Sequence, residues 1–212
     1  YRLIQHPVYN IFGEKVSKEE AKEFIQKDFS IDVENDKVIL FFGFVRKYKG
    51  LNYLIDAMPE ILKKVDLKLL VVGEFYDDEK KYREQIKELN LNEYVKVVSD
   101  FVPDEKVKYF FSASDVVVLP YADATQSGII QIAYYYDKPV IATDVGGLSE
   151  VVINNETGFI IEPKSSKAIS DAVIKFYEEN LEEKFSAKAS LEKEKYSWEK
   201  FVASIEEMVL SE

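Results

Sequence analysis

Val38-Ile39-Leu40-Phe41-Phe42-Gly43 is the stretch that decides the fold. It is apolar without alternation until the glycine. A strand with one wet face would alternate polar and apolar side chains. An unbroken run predicts a strand buried on both faces, as in a parallel sheet covered by helices. Downstream, Leu51 to Val65 places Leu54, Ile55, Met58, Ile61 and Leu62 on one helical stripe. Strand, glycine-bounded loop and amphipathic helix make up the first part of a β-α-β unit.

The same alternation extends to both sides. Strands are predicted at Leu67 to Gly73, Val95 to Val98, Val116 to Leu119, Val140 to Thr143 and Gly158 to Ile161. Helices are predicted at Glu79 to Leu89, Asp104 to Ser112, Gly128 to Tyr136 and Ser166 to Tyr177. Pro103 suits a helix start and Pro120 stops a strand. Such alternation implies an α/β, Rossmann-like parallel sheet flanked by helices, with right-handed crossovers. Leu181 to Leu210 reads as helical and charged, with Trp198 and Phe201 as anchors. Upstream, Ser17-Lys18-Glu19-Glu20 reads as a capping box. His6-Pro7-Val8-Tyr9-Asn10 reads as extended, because a residue before proline avoids the helical region. The expected organisation is a linker and lead-in helix over 1–36, a Rossmann-like domain over 37–180, and C-terminal helices over 181–212 packed on that domain.

Composition narrows the function classes. The chain has 212 residues, 47% apolar and 32% charged, a balance that suits one well-cored domain. Its net charge of −11 opposes nucleic-acid binding, which needs a basic face to displace counterions. An anionic ligand would need a local basic pocket. There is no cysteine, which removes disulfides and thiolate metal sites, and the single His6 removes a multi-histidine site. No apolar run approaches the roughly 20 residues that span a bilayer. The opening residues lack the pattern of a signal peptide, so a cytoplasmic location is the expectation, and the absence of an initiator Met reads as a fragment or processed chain.

In an open parallel sheet, ligands bind beyond the carboxyl ends of the strands. Gly43-Phe44-Val45-Arg46-Lys47-Tyr48-Lys49-Gly50 puts three cations there, in an acidic protein. Arginine offers a planar fork to phosphate oxygens and lysine a point charge. Asp123-Ala124-Thr125-Gln126-Ser127-Gly128 is a small-residue turn before a helix, suited to an anion at the helix N-terminus or to a simple N-cap. Thr143-Asp144-Val145-Gly146-Gly147 permits close backbone approach to a ligand, and is equally an ordinary turn. Phe101, with Val102, stands at a strand end, where it could meet a base or join the core. Tyr134-Tyr135-Tyr136 reads as helix packing, and His6 as a linker residue. Neither Gly-x-Gly-x-x-Gly nor a Walker P-loop is present.

The ordered set of pieces resembles the C-terminal domain of the retaining glycosyltransferase family 4, of GT-B fold. They are His6-Pro7-x-Tyr9, Phe42-Gly43 through Lys49-Gly50, Val71-Val72-Gly73, Ala113-Ser114-Asp115-Val116-x-Val118-x-Pro120, Lys138-Pro139-Val140 through Gly146-Gly147, Glu150-Val151-Val152, Thr157-Gly158 and Tyr196-Ser197-Trp198. The resemblance implies a nucleoside diphosphate sugar as donor, no required cofactor or metal, and transfer of a hexosyl group to an acceptor hydroxyl with retention. The acceptor, a glycan or glycolipid, would be held by an N-terminal domain outside this chain, leaving the chain alone inactive and the whole protein cytoplasmic or membrane-peripheral. It assigns Lys49 and Arg46 to the diphosphate, and Gly43, Phe44, Phe101, Val102, Thr125, Gln126, Ser127, Gly128 and Gln131 to the donor.

Two departures stand out. The family's arginine position holds Phe44, with Arg46 nearby. Its two spaced glutamates fall on Ala124 and Ile132, so an Ala-Thr-Gln-Ser-Gly turn replaces the usual carboxylates. A non-catalytic nucleotide-binding or interaction module, or a GT-B-like sugar-nucleotide epimerase, is the alternative.

Overall fold

A computed structural model describes residues 7–210, with side chains through Glu207. His6 lies outside the described residues. The strands β1 (Lys37–Phe42), β2 (Leu67–Val72), β3 (Val95–Val98), β4 (Val116–Leu119), β5 (Val140–Thr143) and β6 (Gly158–Ile161) form one parallel sheet in the order β3-β2-β1-β4-β5-β6. The order reverses between β1 and β4, and that reversal is the switch point of a doubly wound sheet.

Strand composition explains the double burial. Val38 and Leu40 belong to the apolar cluster on one face, and Ile39 and Phe41 to the cluster on the other. The first face is covered by α1 (Lys18–Phe29), α4 (Asp104–Ala113) and α5 (Gly128–Tyr135). The second is covered by α2 (Leu51–Leu62), α3 (Glu79–Glu88) and α7 (Ser166–Glu178). Tyr134 and Tyr136 are fully buried, which bears out their reading as packing residues. The Tyr134 hydroxyl donates to Thr157 Oγ1 at 2.6 Å.

Ser17 caps α1 by accepting from the Glu20 N–H at 3.1 Å, as the capping pattern predicts. Two elements depart from expectation. The Gly146-Gly147 loop runs into a short helix, α6 (Leu148–Val151). The C-terminal stretch divides into α8 (Glu182–Lys193) and α9 (Trp198–Leu210), separated by a single 3-10 turn. Trp198 is 45% exposed and is not the anchor of this region. Buried Tyr196 is, and its carbonyl accepts from the Val8 N–H at 2.8 Å, which ties the lead-in segment down beside the C-terminal helices.

At the sheet end opposite the switch-point loops, Asp115 is buried just before β4. Its Oδ2 accepts from the Val38 N–H and from the Tyr177 hydroxyl, each at 2.8 Å, and its carboxylate pairs with Lys18. One carboxylate thereby joins β1, β4, α1 and α7. Lys138, also buried, donates to the carbonyls of Ser112 and Ser114 at 3.2 and 2.7 Å. Both residues belong to the sequence pieces that carry the family resemblance, and the structure gives both a framework role. No helix among the described residues is long and apolar enough to cross a membrane.

Candidate functional site

The loops after β1 and β4 meet at the switch point. After Gly43 the chain runs through a 3-10 turn, Lys47–Lys49, to Gly50, which starts α2. Gly50 has φ +68°, and a Cβ there would fall 1.9 Å from the Pro120 carbonyl oxygen. Only glycine suits both demands. The Ala122 N–H donates to the Tyr48 carbonyl at 2.6 Å, closing the two loops onto each other. Lys49 is thus held at the root of the crevice rather than on its rim.

Lys49 is only 8% exposed. Its ammonium lies 5.5 Å from the Tyr121 ring centroid and packs against Gly43, 3.1 Å from where a Cβ would stand. Among the described residues no carboxylate pairs with it. Burial, followed by the positive charge of Arg46, brings its pKa down to about 8. A buried cation without a counter-ion is costly, and an anionic ligand would relieve that cost.

Lys49 lines a cleft of about 610 Å³ with Tyr9, Tyr121, Asp123, Thr125, Gln126, Ser127 and Gly128. Ser127 is the N-cap residue of α5 by backbone position but makes no side-chain cap; its Oγ lies 3.3 Å from the Tyr121 hydroxyl. In the first turn of α5 the Ile130 N–H donates back to the Ser127 carbonyl at 3.3 Å, and the Gly128 and Ile129 N–H groups, at the positive end of the dipole, are left for a ligand. Burial raises the Tyr121 hydroxyl far above the ordinary tyrosine range, so it stays protonated. The cleft thus joins a buried ammonium, hydroxyls and an uncapped helix start, a set suited to a phosphate-bearing ligand. Among the described residues no group of His, Cys, Asp and Glu gathers to hold a metal ion.

The structure gathers some of the sequence candidates and separates others. Lys49, Thr125, Gln126, Ser127 and Gly128 line the cleft, with Gly43 beneath Lys49. Arg46 instead lies over the Tyr76 ring at 4.7 Å and faces a neighbouring hollow with Lys81 and Lys164. Phe44 also packs on Tyr76, edge to face at 5.0 Å. Phe101 is 67% exposed, so it is not a core residue, while the Val102 side chain is in the core. Neither lines the Lys49 cleft. Gln131 opens on a smaller adjoining hollow.

The Gly146-Gly147 pair does allow a close approach, but to protein. A Cβ on Gly146 would fall 2.0 Å from the Ala124 carbonyl oxygen, and the Gly147 N–H donates to the Thr125 carbonyl at 2.7 Å. The loop after β5 therefore supports the turn that opens α5.

Sequence reasoning missed Tyr9 and Tyr121 as cleft residues. Tyr9 lies against Gly128, its Cε2 3.0 Å from where a Cβ there would be. The signal for Tyr9 was its place in the linker motif, and for Tyr121 its position directly after the strand-ending Pro120.

A doubly wound parallel sheet, with a phosphate-suited cleft at its switch point, is the donor-domain architecture of GT-B glycosyltransferases. The chain belongs to the family described as Glycosyl transferases group 1, which matches over residues 21–198. A protein of Methanocaldococcus jannaschii, described as the uncharacterized glycosyltransferase MJ1607, is 35% identical over 144 residues, covering 66% of this chain and 36% of that protein. The C-terminal domain of a group 1 glycosyl transferase, LpcC of Francisella tularensis, superposes with a TM-score of 0.76 at 24% identity, over 89% of this chain and 97% of that one. Anabaena Alr3699/HepE in complex with UDP superposes with a TM-score of 0.81 at 23% identity, over 97% of this chain and 57% of that one. The chain spans about a third to a half of the length of the curated relatives it matches, from 36% to 55% for the first three.

Proposed function

We propose that this chain is the donor-binding half of a retaining glycosyltransferase that moves a hexosyl group from a nucleoside diphosphate to an acceptor hydroxyl. The observation that carries the reading is Lys49, a buried ammonium without a carboxylate partner among the described residues, in one cleft with the uncapped start of α5. The diphosphate spans Lys49 and the N–H groups at Ser127-Gly128. Thr125, Gln126 and the close backbone at Gly43 complete that wall. As the glycosidic bond breaks, charge gathers on the departing diphosphate. Lys49 and the helix start stabilise it with donors already in place, and Arg46 adds positive potential from the adjoining hollow. The exposed rings of Phe44 and Phe101, and the backbone at Val102, are assigned to the base from outside the cleft lining.

Residues 1–36 serve as linker and lead-in helix, 37–180 as the nucleotide-sugar domain, and 181–212 as helices packed on it. An N-terminal domain outside this chain supplies the contacts to a glycan or glycolipid acceptor, and the chain alone turns over no donor. Support comes from the relatives: Anabaena HepE is described in complex with UDP and with UDP-glucose, and a 26% identical Salmonella typhimurium relative is described as a lipopolysaccharide N-acetylglucosaminetransferase.

The test is a calorimetric titration of the chain with UDP, GDP and ADP, with and without magnesium. Saturable binding of one nucleotide, lost in Lys49→Ala, is the expected result. Binding that Lys49→Ala leaves intact would overturn the assignment of the cleft.

A further inference from the structure

A second hollow, of about 870 Å³, lies beside the Lys49 cleft, and Tyr48 lines both. Lys49 itself does not line it. Its volume falls within the roughly 300–1,000 Å³ of small-molecule sites. Arg46, Lys47, Lys81 and Lys164 line it, against one carboxylate, Asp77. Three segments distant in sequence bring these cations together. The loop after β1 supplies Arg46 and Lys47, the first turn of α3 supplies Lys81, and the link from β6 to α7 supplies Lys164. Lys164 comes from a left-handed backbone, φ +60°, which a lysine adopts only at a cost.

The protein leaves these cations unpaired. Among the described residues, none of the four side chains makes an ion pair or a hydrogen bond. Elsewhere on α3, Arg83 pairs with Glu79 at 2.6 Å and Lys80 with Glu84 at 3.7 Å. Four like charges in one hollow repel one another, and an anion among them offsets that repulsion. In a chain of net charge −11, this is the local basic pocket that an anionic ligand requires. The Arg46 guanidinium lies over the Tyr76 ring, 4.7 Å from its centroid, which orients the planar fork and leaves its N–H donors free. Tyr48, Tyr53 and Tyr76 add flat apolar faces and hydroxyls to the wall. The C–H face of a sugar ring packs on such rings while its hydroxyls meet theirs. A bilayer would meet protruding side chains on a flat face, whereas these cations ring a concavity with room for a whole small molecule.

We propose that this hollow is a second binding site, separate from the donor cleft, for a soluble sugar phosphate. The phosphate is held by Arg46, Lys81 and Lys164, with Lys47 adding positive potential, and the sugar ring rests on the tyrosine wall. The site does not depend on the donor-binding reading, since Lys49 takes no part in it.

Calorimetry tests the proposal with glucose 6-phosphate, fructose 1,6-bisphosphate, inorganic phosphate and UDP, on the wild-type chain, Lys49→Ala and the double variant Lys81→Ala/Lys164→Ala. Lys81 and Lys164 are exposed, so their truncation leaves the fold intact. Wild type and Lys49→Ala are expected to bind a sugar phosphate within about twofold of each other. The double variant is expected to bind it about tenfold or more weakly, the loss of charge-assisted hydrogen bonds, and to hold UDP within about twofold. Inorganic phosphate, which leaves the tyrosine wall unused, is expected to bind about tenfold more weakly than the sugar phosphates; equal affinity would overturn the assignment to a carbohydrate. Loss of sugar phosphate binding in Lys49→Ala, or an equal loss of UDP in the double variant, would merge the hollow with the donor cleft and overturn a second site. No binding of either sugar phosphate by wild type would overturn it outright, and binding to phosphatidylglycerol vesicles that the double variant loses would then give the cations to a membrane surface. Failure of the donor reading alone shows as a chain that binds a sugar phosphate and not UDP.

Discussion

Replacing Lys49 with methionine should make the protein more stable and abolish its binding of a diphosphate. Lys49 is buried, and its pKa falls from 10.5 to about 8. At about 1.4 kcal/mol per pH unit, the folded state carries about 3 kcal/mol against the charged side chain at pH 7. The Tyr121 ring, 5.5 Å from the ammonium, returns up to about 1 kcal/mol. Methionine keeps most of the apolar stem and drops the charge, so the net gain at pH 7 is about 2–3 kcal/mol, or roughly 5–10 °C in Tm for a chain of this size. The sign with pH is fixed by linkage. A folded-state pKa below the unfolded one means the unfolded chain binds the proton more tightly. Wild-type stability is therefore depressed below pH 8 and recovers as pH rises from 8 to 10.5. The advantage of Lys49→Met should shrink to less than about 1 kcal/mol at pH 10. Urea denaturation of both proteins at pH 7 and pH 10 measures this, and titration with UDP, GDP and ADP measures the binding. A variant less stable than wild type at pH 7, or a gain that does not change with pH, would refute the view of Lys49 as a buried charge awaiting an anion.

The contrast with Lys138 sharpens that test. Its pKa also falls to about 8 through burial, but it donates to two carbonyls, so Lys138→Met leaves both unpaired and should lower stability by about 1–3 kcal/mol in urea denaturation. Gly50→Ala puts a Cβ 1.9 Å from the Pro120 carbonyl oxygen at φ +68°, and should cost several kcal/mol or prevent folding, read from soluble yield and Tm. Asp115→Ala removes the carboxylate shared by Val38, Tyr177 and Lys18, and should destabilise by about 3–5 kcal/mol without changing nucleotide affinity per folded molecule. Gly128→Ala brings a Cβ to 3.0 Å from Tyr9 Cε2; helix stability should hold while nucleotide affinity falls as Tyr9 is pushed aside, measured by calorimetry.

The strands, the main helices and the family pieces were legible in the sequence because each rests on local information. Runs such as Val38 to Phe42 carry the double burial of a parallel strand, and Leu54, Ile55, Met58 and Ile61 carry a helical stripe. Lys49 was legible as a cation at a strand end. Its burial and missing counter-ion were not, because both depend on Pro120, Tyr121 and Ala122 folding back from β4. Arg46 and Lys49 lie three residues apart in sequence, yet the 3-10 turn between them aims one at Tyr76 and the other at Tyr121. The Gly146-Gly147 pair read equally as a ligand loop or an ordinary turn, and it forms the seat of the 124–127 turn, a contact between segments that no local pattern encodes. Gln131 shows the limit most plainly. The family resemblance marked it as a donor-side polar residue, but only the packing around α5 makes it a buried amide whose Oε1 has nothing to bond. Propensity and periodicity thus determined which elements form and which faces they bury, whereas the switch point decided which side chains meet, because distant loops come together only when the sheet order reverses.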